Sequence, residues 1–117
     1  MIRLVATALV ASLILTNAAP AAALLSEREA RIKAIAILKG DPYGATDAEV
    51  AGNIKQTRWV EDGKTRACGS KKTAAWEFHV VVATGKKEQF NKGIIDGYLA
   101  LDARSGKLLC ANLPLLD

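Results

Sequence analysis

The hydrophobic pattern of this chain changes character twice. Behind the cation of Arg3, Leu4 to Leu15 carries no charge and is mainly apolar. Small residues follow, and Ala19-Pro20-Ala21 and Ala21-Ala22-Ala23 both fit an A-x-A cleavage signal. A positive start, a short apolar run and a small-residue end read as a secretory signal peptide over residues 1–23. The run is too short for a spanning helix, which needs about 20 apolar residues. An uncleaved N-terminal anchor is the alternative. Cleavage after Ala21 or Ala23 leaves one domain, residues 24–117, with no transmembrane segment and a single modest core.

Helical spacing comes next. Ser26 and Glu29 fit a capping box, and Glu27–Arg31 and Glu29–Lys33 are i,i+4 pairs with the acid N-terminal. Ile32, Ile35 and Leu38 form one apolar line and Ala30, Ala34 and Ile37 a neighbouring one, so residues 25–39 are predicted helical. Gly40 and Pro42 end that helix, and Asp41-Pro42-Tyr43-Gly44 is a turn. Thr46 and Glu49 repeat the capping grammar for a shorter helix that stops near Lys55, weakened by Gly52.

From Gln56 the period becomes two. Gln56–Glu61 and Lys64–Cys68 are predicted to pair as a hairpin through an Asp62-Gly63 turn, followed by a polar loop from Gly69 to Lys72. Ala74–Thr84 is the strongest strand, with Trp76, Phe78, Val80 and Val82 on one face and Ala75, Glu77, His79 and Val81 on the other. Strands at Ile94–Leu101 and Lys107–Leu113 follow a Lys-rich loop and a tight turn. Gly97 leaves a gap in the apolar face of the first of these. Helices before strands, and strands joined by short turns, imply an α+β fold: two N-terminal helices packed on a four- to five-stranded antiparallel meander sheet. The expected core is Ile32, Ile35, Leu38, Ile54, Trp59, Trp76, Phe78, Val80, Leu99 and Leu101. Ile37 lies away from the first apolar line, and a second chain covering it would make a homodimer.

Cysteine usage and charge refine this picture. Cys68 and Cys110 are the only cysteines, and in an oxidising compartment such a pair forms a disulfide. The loop it closes is worth about 4 kcal/mol by chain entropy. Free thiols and an intermolecular bridge are the alternatives. The formal charge is +4, and losing Arg3 with the leader lowers it by one. Lys71-Lys72 and Lys86-Lys87 read as solvated loop lysines, with attraction to anionic lipid or polysaccharide as the other reading. No aromatic residues interleave with them, so nucleic acid is not an expected partner.

Catalytic patterns are sparse. The mature chain holds no G-x-S-x-G, H-E-x-x-H, P-loop or dinucleotide-binding glycine pattern. Its one histidine, His79, would need Ser70 or Ser105 for a triad, and both serines sit in turn-rich segments. Asp96, Tyr98 and Asp102 share one strand face, which reads as a solvated outer face or as a carboxylate pair for a cation or for proton transfer. Neither a metal nor any cofactor is expected: four-ligand zinc lacks donors, and the turn after Asp102 lacks calcium-loop spacing. Tyr43, Phe90 and the lysines Lys86, Lys87 and Lys92 are the candidate partner-binding residues, with tucking against the sheet as the alternative for the two aromatics.

Trp76-Glu77-Phe78-His79-Val80-Val81-Val82, followed by Gly97 to Leu109 (GYLALDARSGKLL), resembles a PepSY domain. That family places an aromatic-led strand before a strand reading roughly L-x-V-D-A-x-T-G-x-V-L; here Ser105 stands for Thr and Leu101 for Val. Asp102 can cap the turn with its carboxylate, and Gly106 supplies its positive φ. The resemblance implies a non-catalytic exported module, in some relatives one that restrains a peptidase. A cystatin-like helix-on-sheet architecture fits the same element order. The expected function is therefore an exported binding or regulatory module with a protein partner, periplasmic in a Gram-negative bacterium and secreted otherwise. An envelope-associated structural protein held by a basic face is the alternative, and a small hydrolase using His79 is the most distant one.

Overall fold

The computed structural model describes residues 23–61, 64–70 and 73–116. Nearly all of the leader, the Asp62-Gly63 turn and the Lys71-Lys72 pair lie outside these residues. Helix α1 spans Glu27–Leu38 and α2 spans Asp47–Asn53. Strand β1 is Ile54–Val60, and the short β2 and β3 are Lys64–Thr65 and Gly69–Ser70. The long strands β4 and β5 are Ala75–Ala83 and Ile94–Asp102, and β6 is Leu108–Ala111. The fold is α+β with a four-stranded antiparallel sheet in the order β1-β4-β5-β6 and a separate β2-β3 ribbon. No helix among the described residues is long and apolar enough to cross a membrane.

Both helices are capped by the expected residues, Ser26 and Thr46, and α1 starts just after its cap at Glu27 rather than at residue 25, because both capping boxes form. Ser26 Oγ accepts from Glu29 N at 3.1 Å while Glu29 Oε1 accepts from Ser26 N at 2.9 Å, and Thr46 with Glu49 repeats the exchange. The backbone amide of Ser26 holds the Glu29 carboxyl below its ordinary pKa. The buried line of α1 is Ala30, Ala34 and Leu38, at i, i+4 and i+8. Two alanines let the helix backbone lie close to the sheet. Ile32 sits about 200° around the helix from Ala30 and is 57% exposed, so it is not core; Ile37, by contrast, packs partly buried against its own domain. The apolar residue left over on α1 is thus Ile32 and not Ile37.

Phe78, Val80 and Val82 of β4 and Ile95, Leu99 and Leu101 of β5 meet that line. Trp59 departs from expectation. It lies on the helix side of edge strand β1, 37% exposed, with its ring edge-on to Trp76 at 5.1 Å between centroids. The indole of Trp76 donates to Leu25 O at 3.0 Å, and Arg31 donates to Thr57 Oγ1 at 3.1 Å, so polar contacts also fasten the segment leading into α1 to β4 and α1 itself to β1. The gap at Gly97 has a purpose. A Cβ there would come 2.6 Å from Asn112 O, because the chain leaving β6 crosses at that point and drops Leu113 into the core.

The predicted early hairpin does not form as such. β1 pairs with β4, bringing Trp59 opposite Trp76 and Thr57 opposite Phe78. Lys64–Thr65 instead pairs with Gly69–Ser70, a segment expected to be loop. The long apolar β4 is the better partner for β1, since it extends the buried surface over α1. The residues between them tighten into a ribbon around Thr65, whose hydroxyl accepts from Cys68 N at 3.2 Å and donates to Gly69 O at 3.1 Å.

Candidate functional site

With the helices on one sheet face, the chemistry-bearing side chains gather on the other. Its centre is Glu77, only 1% exposed in the middle of an apolar strand. One carboxylate oxygen accepts from Arg58 Nη2 at 2.6 Å, and the other accepts from the backbone amides of Arg66 at 2.5 Å and Ala67 at 3.2 Å. A carboxylate this buried is tolerated because a cation and two amides replace its water. The ribbon is thereby latched onto the sheet. The Cys68–Cys110 disulfide adds a covalent latch, joining the ribbon turn to β6 with a Cα–Cα distance of 5.7 Å. Sequence reasoning passed over Glu77, although a lone charge between Trp76 and Phe78 was the available signal.

Beside this latch lies a polar cluster. The antiparallel register sets His79 opposite Tyr98, and their rings stack at 4.6 Å with a 17° angle. His79 Nε2 is 2.7 Å from Asp96 Oδ1, and the Arg66 guanidinium stands 5.4 Å from the centre of the Tyr98 ring. Asp96 can orient the imidazole, and stacking fixes its plane. Asp102 sits at the far end of β5, opposite Ala75, four residues along the ladder from His79. At about 3.3 Å per residue that is roughly 13 Å, which leaves Ser105 beyond reach of His79; Asp96 and Asp102, six residues apart on β5, are roughly 20 Å apart and do not meet.

Asp102 works as a turn cap. Its Oδ1 accepts from Arg104 N and Ser105 N, each at 2.8 Å, and its Oδ2 accepts from Thr73 Oγ1 at 3.2 Å. The Ser105 amide, assisted by that of Arg104, lowers its pKa against the opposing effect of burial. Gly106, at φ +73°, closes the turn as expected.

Among the candidate partner-binding residues, Tyr43 is withdrawn. It is 2% exposed, its hydroxyl donates to Pro114 O at 2.5 Å, and burial pushes its pKa up to about 12. Its aromatic ring closes the core beneath the Gly40–Gly44 turn rather than facing solvent. Phe90 is half-buried against the same core. Lys86, Lys87 and Lys92 are exposed on one loop. Backbone bonds from Thr84 N to Gly93 O at 2.7 Å, Phe90 N to Lys86 O at 2.9 Å and Gly93 N to Phe90 O at 2.7 Å fold that loop tightly. Lys86 Nζ also stands 3.5 Å from Asp41 Oδ2. A further exposed feature is a groove between the helices, lined by Glu27, Arg28, Arg31, Ile32, Ile35 and Ala51. Among the described residues, no group of three or more His, Cys, Asp or Glu side chains converges as metal ligands would.

No family model, curated protein or solved structure matches this chain.

Proposed function

We propose that the chain is an exported, non-catalytic binding or regulatory module that captures a protein partner through its Lys86–Lys92 loop. The observation that carries this reading is the loop itself. It presents three exposed lysines on a backbone closed by its own hydrogen bonds and anchored by Phe90. A loop ordered before contact loses less conformational entropy on binding, which favours affinity. The leader pattern and the Cys68–Cys110 disulfide both suit an oxidising compartment. The PepSY resemblance supports a regulatory role and makes a peptidase the partner class to examine first. Affinity capture from the exported fraction tests the proposal, comparing the wild type with Lys86→Glu/Lys87→Glu/Lys92→Glu. The reading requires a protein enriched by the wild type and lost with the triple variant. Its main support goes if neither protein enriches anything.

A second reading draws on one distance, the 2.7 Å between His79 Nε2 and Asp96 Oδ1. A carboxylate-oriented imidazole is the arrangement of a general base. For a small hydrolase, His79→Gln would abolish turnover found across a substrate panel. Turnover unchanged by that substitution removes this reading.

A further inference from the structure

One row of residues crosses the sheet from edge to edge beneath the ribbon. Arg58 of β1 stands opposite Glu77 of β4, Glu77 opposite Ala100 of β5, and Ala100 opposite Cys110 of β6. Neighbouring strands are about 4.8 Å apart, so roughly 10 Å separates the Glu77 and Cys110 positions. The ribbon spans that gap. Its Arg66 and Ala67 amides donate to Glu77, and the very next residue, Cys68, is bridged to Cys110. Ala100, fully buried between the two fastenings, puts nothing larger than a methyl group in the path. Thr65, 5% exposed, accepts from the Cys68 amide at 3.2 Å and so sets the direction of that residue. Hydrogen bonds on both sides of Cys68 therefore position it without any use of the bridge.

We propose that Glu77 is the positioning residue for the disulfide: in the reduced chain its carboxylate already folds the ribbon over Ala100 and holds Cys68 against Cys110. Oxidation then needs little further ordering. A disulfide of the glutathione class accepts the two electrons. One cysteine, as its thiolate, attacks that disulfide and expels one thiol; the other, also as its thiolate, attacks the mixed disulfide and expels the second. Two protein thiols become one bridge, and one external disulfide becomes two thiols. With only two cysteines in the chain, the competing products are intermolecular pairs. A closed ribbon works against those by raising the effective concentration of one thiol at the other. The carboxylate latch and the bridge are thus coupled, and each strengthens the other by the same factor.

Equilibrating the protein as its host produces it with reduced and oxidised glutathione measures that effective concentration. Glu77→Gln, whose amide nitrogen cannot accept from Arg58 or from the ribbon amides, should lower it about ten-fold or more. Val80→Ala, which truncates the inner face away from the ribbon, should leave it within about two-fold of the wild type. A value unchanged by Glu77→Gln overturns the proposal. So does an equal or larger fall in Val80→Ala, which would trace the effect to a general loss of stability. A second measurement avoids the bridge altogether. In Cys68→Ala/Cys110→Ala, hydrogen exchange at the Arg66 and Ala67 amides should be about ten-fold slower, or more, than in the same variant carrying Glu77→Gln. Equal rates would mean that the ribbon opens once the bridge is absent, and would overturn the proposal as well.

Discussion

The two faces of the central sheet are covered in opposite ways. Against the inner face lie α1 and α2, and the join is made by Ala30, Ala34, Leu38, Val50, Phe78, Val80, Leu99 and Leu101, all at 2% exposure or less. Over the outer face lies a ribbon whose two strands are two residues each, too small to bury much apolar surface. It is held by a carboxylate, an arginine, two amides and a disulfide. One cover adheres through non-directional burial; the other is fastened at a few points with strict geometry. Inner-face stability should therefore be spread over many side chains, whereas outer-face integrity should depend on very few.

Truncation of the inner face should cost most. Phe78 is fully buried, and Phe78→Ala should lower unfolding stability by about 3–5 kcal/mol in denaturant titration, without selectively exposing the ribbon. Opening the disulfide comes next. Cys68→Ala and Cys110→Ala should each cost about 2–4 kcal/mol, in nearly equal amounts, since either removes the same cross-link. Unequal melting losses would mean that one cysteine has a separate task.

Removal of the charge latch should be smaller in stability and larger in local effect. Glu77→Gln leaves Arg58 without its carboxylate, and the pair is tempered by Arg58 being about a third exposed. A loss of about 2–3 kcal/mol is expected. Hydrogen exchange should rise first at the Arg66 and Ala67 amides while the α1 amides stay protected. Uniform acceleration on both sides of the sheet would erase the proposed contrast.

The smallest effect belongs to Tyr43, on the inner side. Its hydroxyl titrates near pH 12 when folded, against about 10 when unfolded, so folding favours the neutral form. Its contribution is complete below about pH 10 and fades as pH rises through about 12. Tyr43→Phe should cost about 1 kcal/mol at neutral pH, and it should blunt the alkaline loss of stability between those values.

What could be read beforehand divides along the same line. Periodicity and capping located both helices, β4 and β5, because each signal is local and repeats within one segment. The outer cover depends on pairings remote in sequence: Arg58 with Glu77, Cys68 with Cys110, Arg66 with Tyr98. Two cysteines alone restrict their own pairing, so the disulfide was legible. A lone glutamate gives no such restriction. The misplaced hairpin has the same origin, since Asp-Gly is a strong local turn signal but says nothing of competition from β4 for β1. Ile32 and Trp59 were assigned to the core on period alone, which cannot tell the middle of a sheet from its edge. For the site, Asp102 and Gly106 were legible as a turn, whereas the His79–Asp96–Tyr98 cluster required the β4–β5 register.

Export and the clamped ribbon meet in one measurement: the intact mass of the protein from its native host's exported fraction, alkylated with and without prior reduction. A chain starting at Ala22 or Leu24 that takes up alkylating reagent only after reduction is the expected result. A full-length mass with both thiols open would contradict it, since the leader would then be retained and the ribbon held by Glu77 alone.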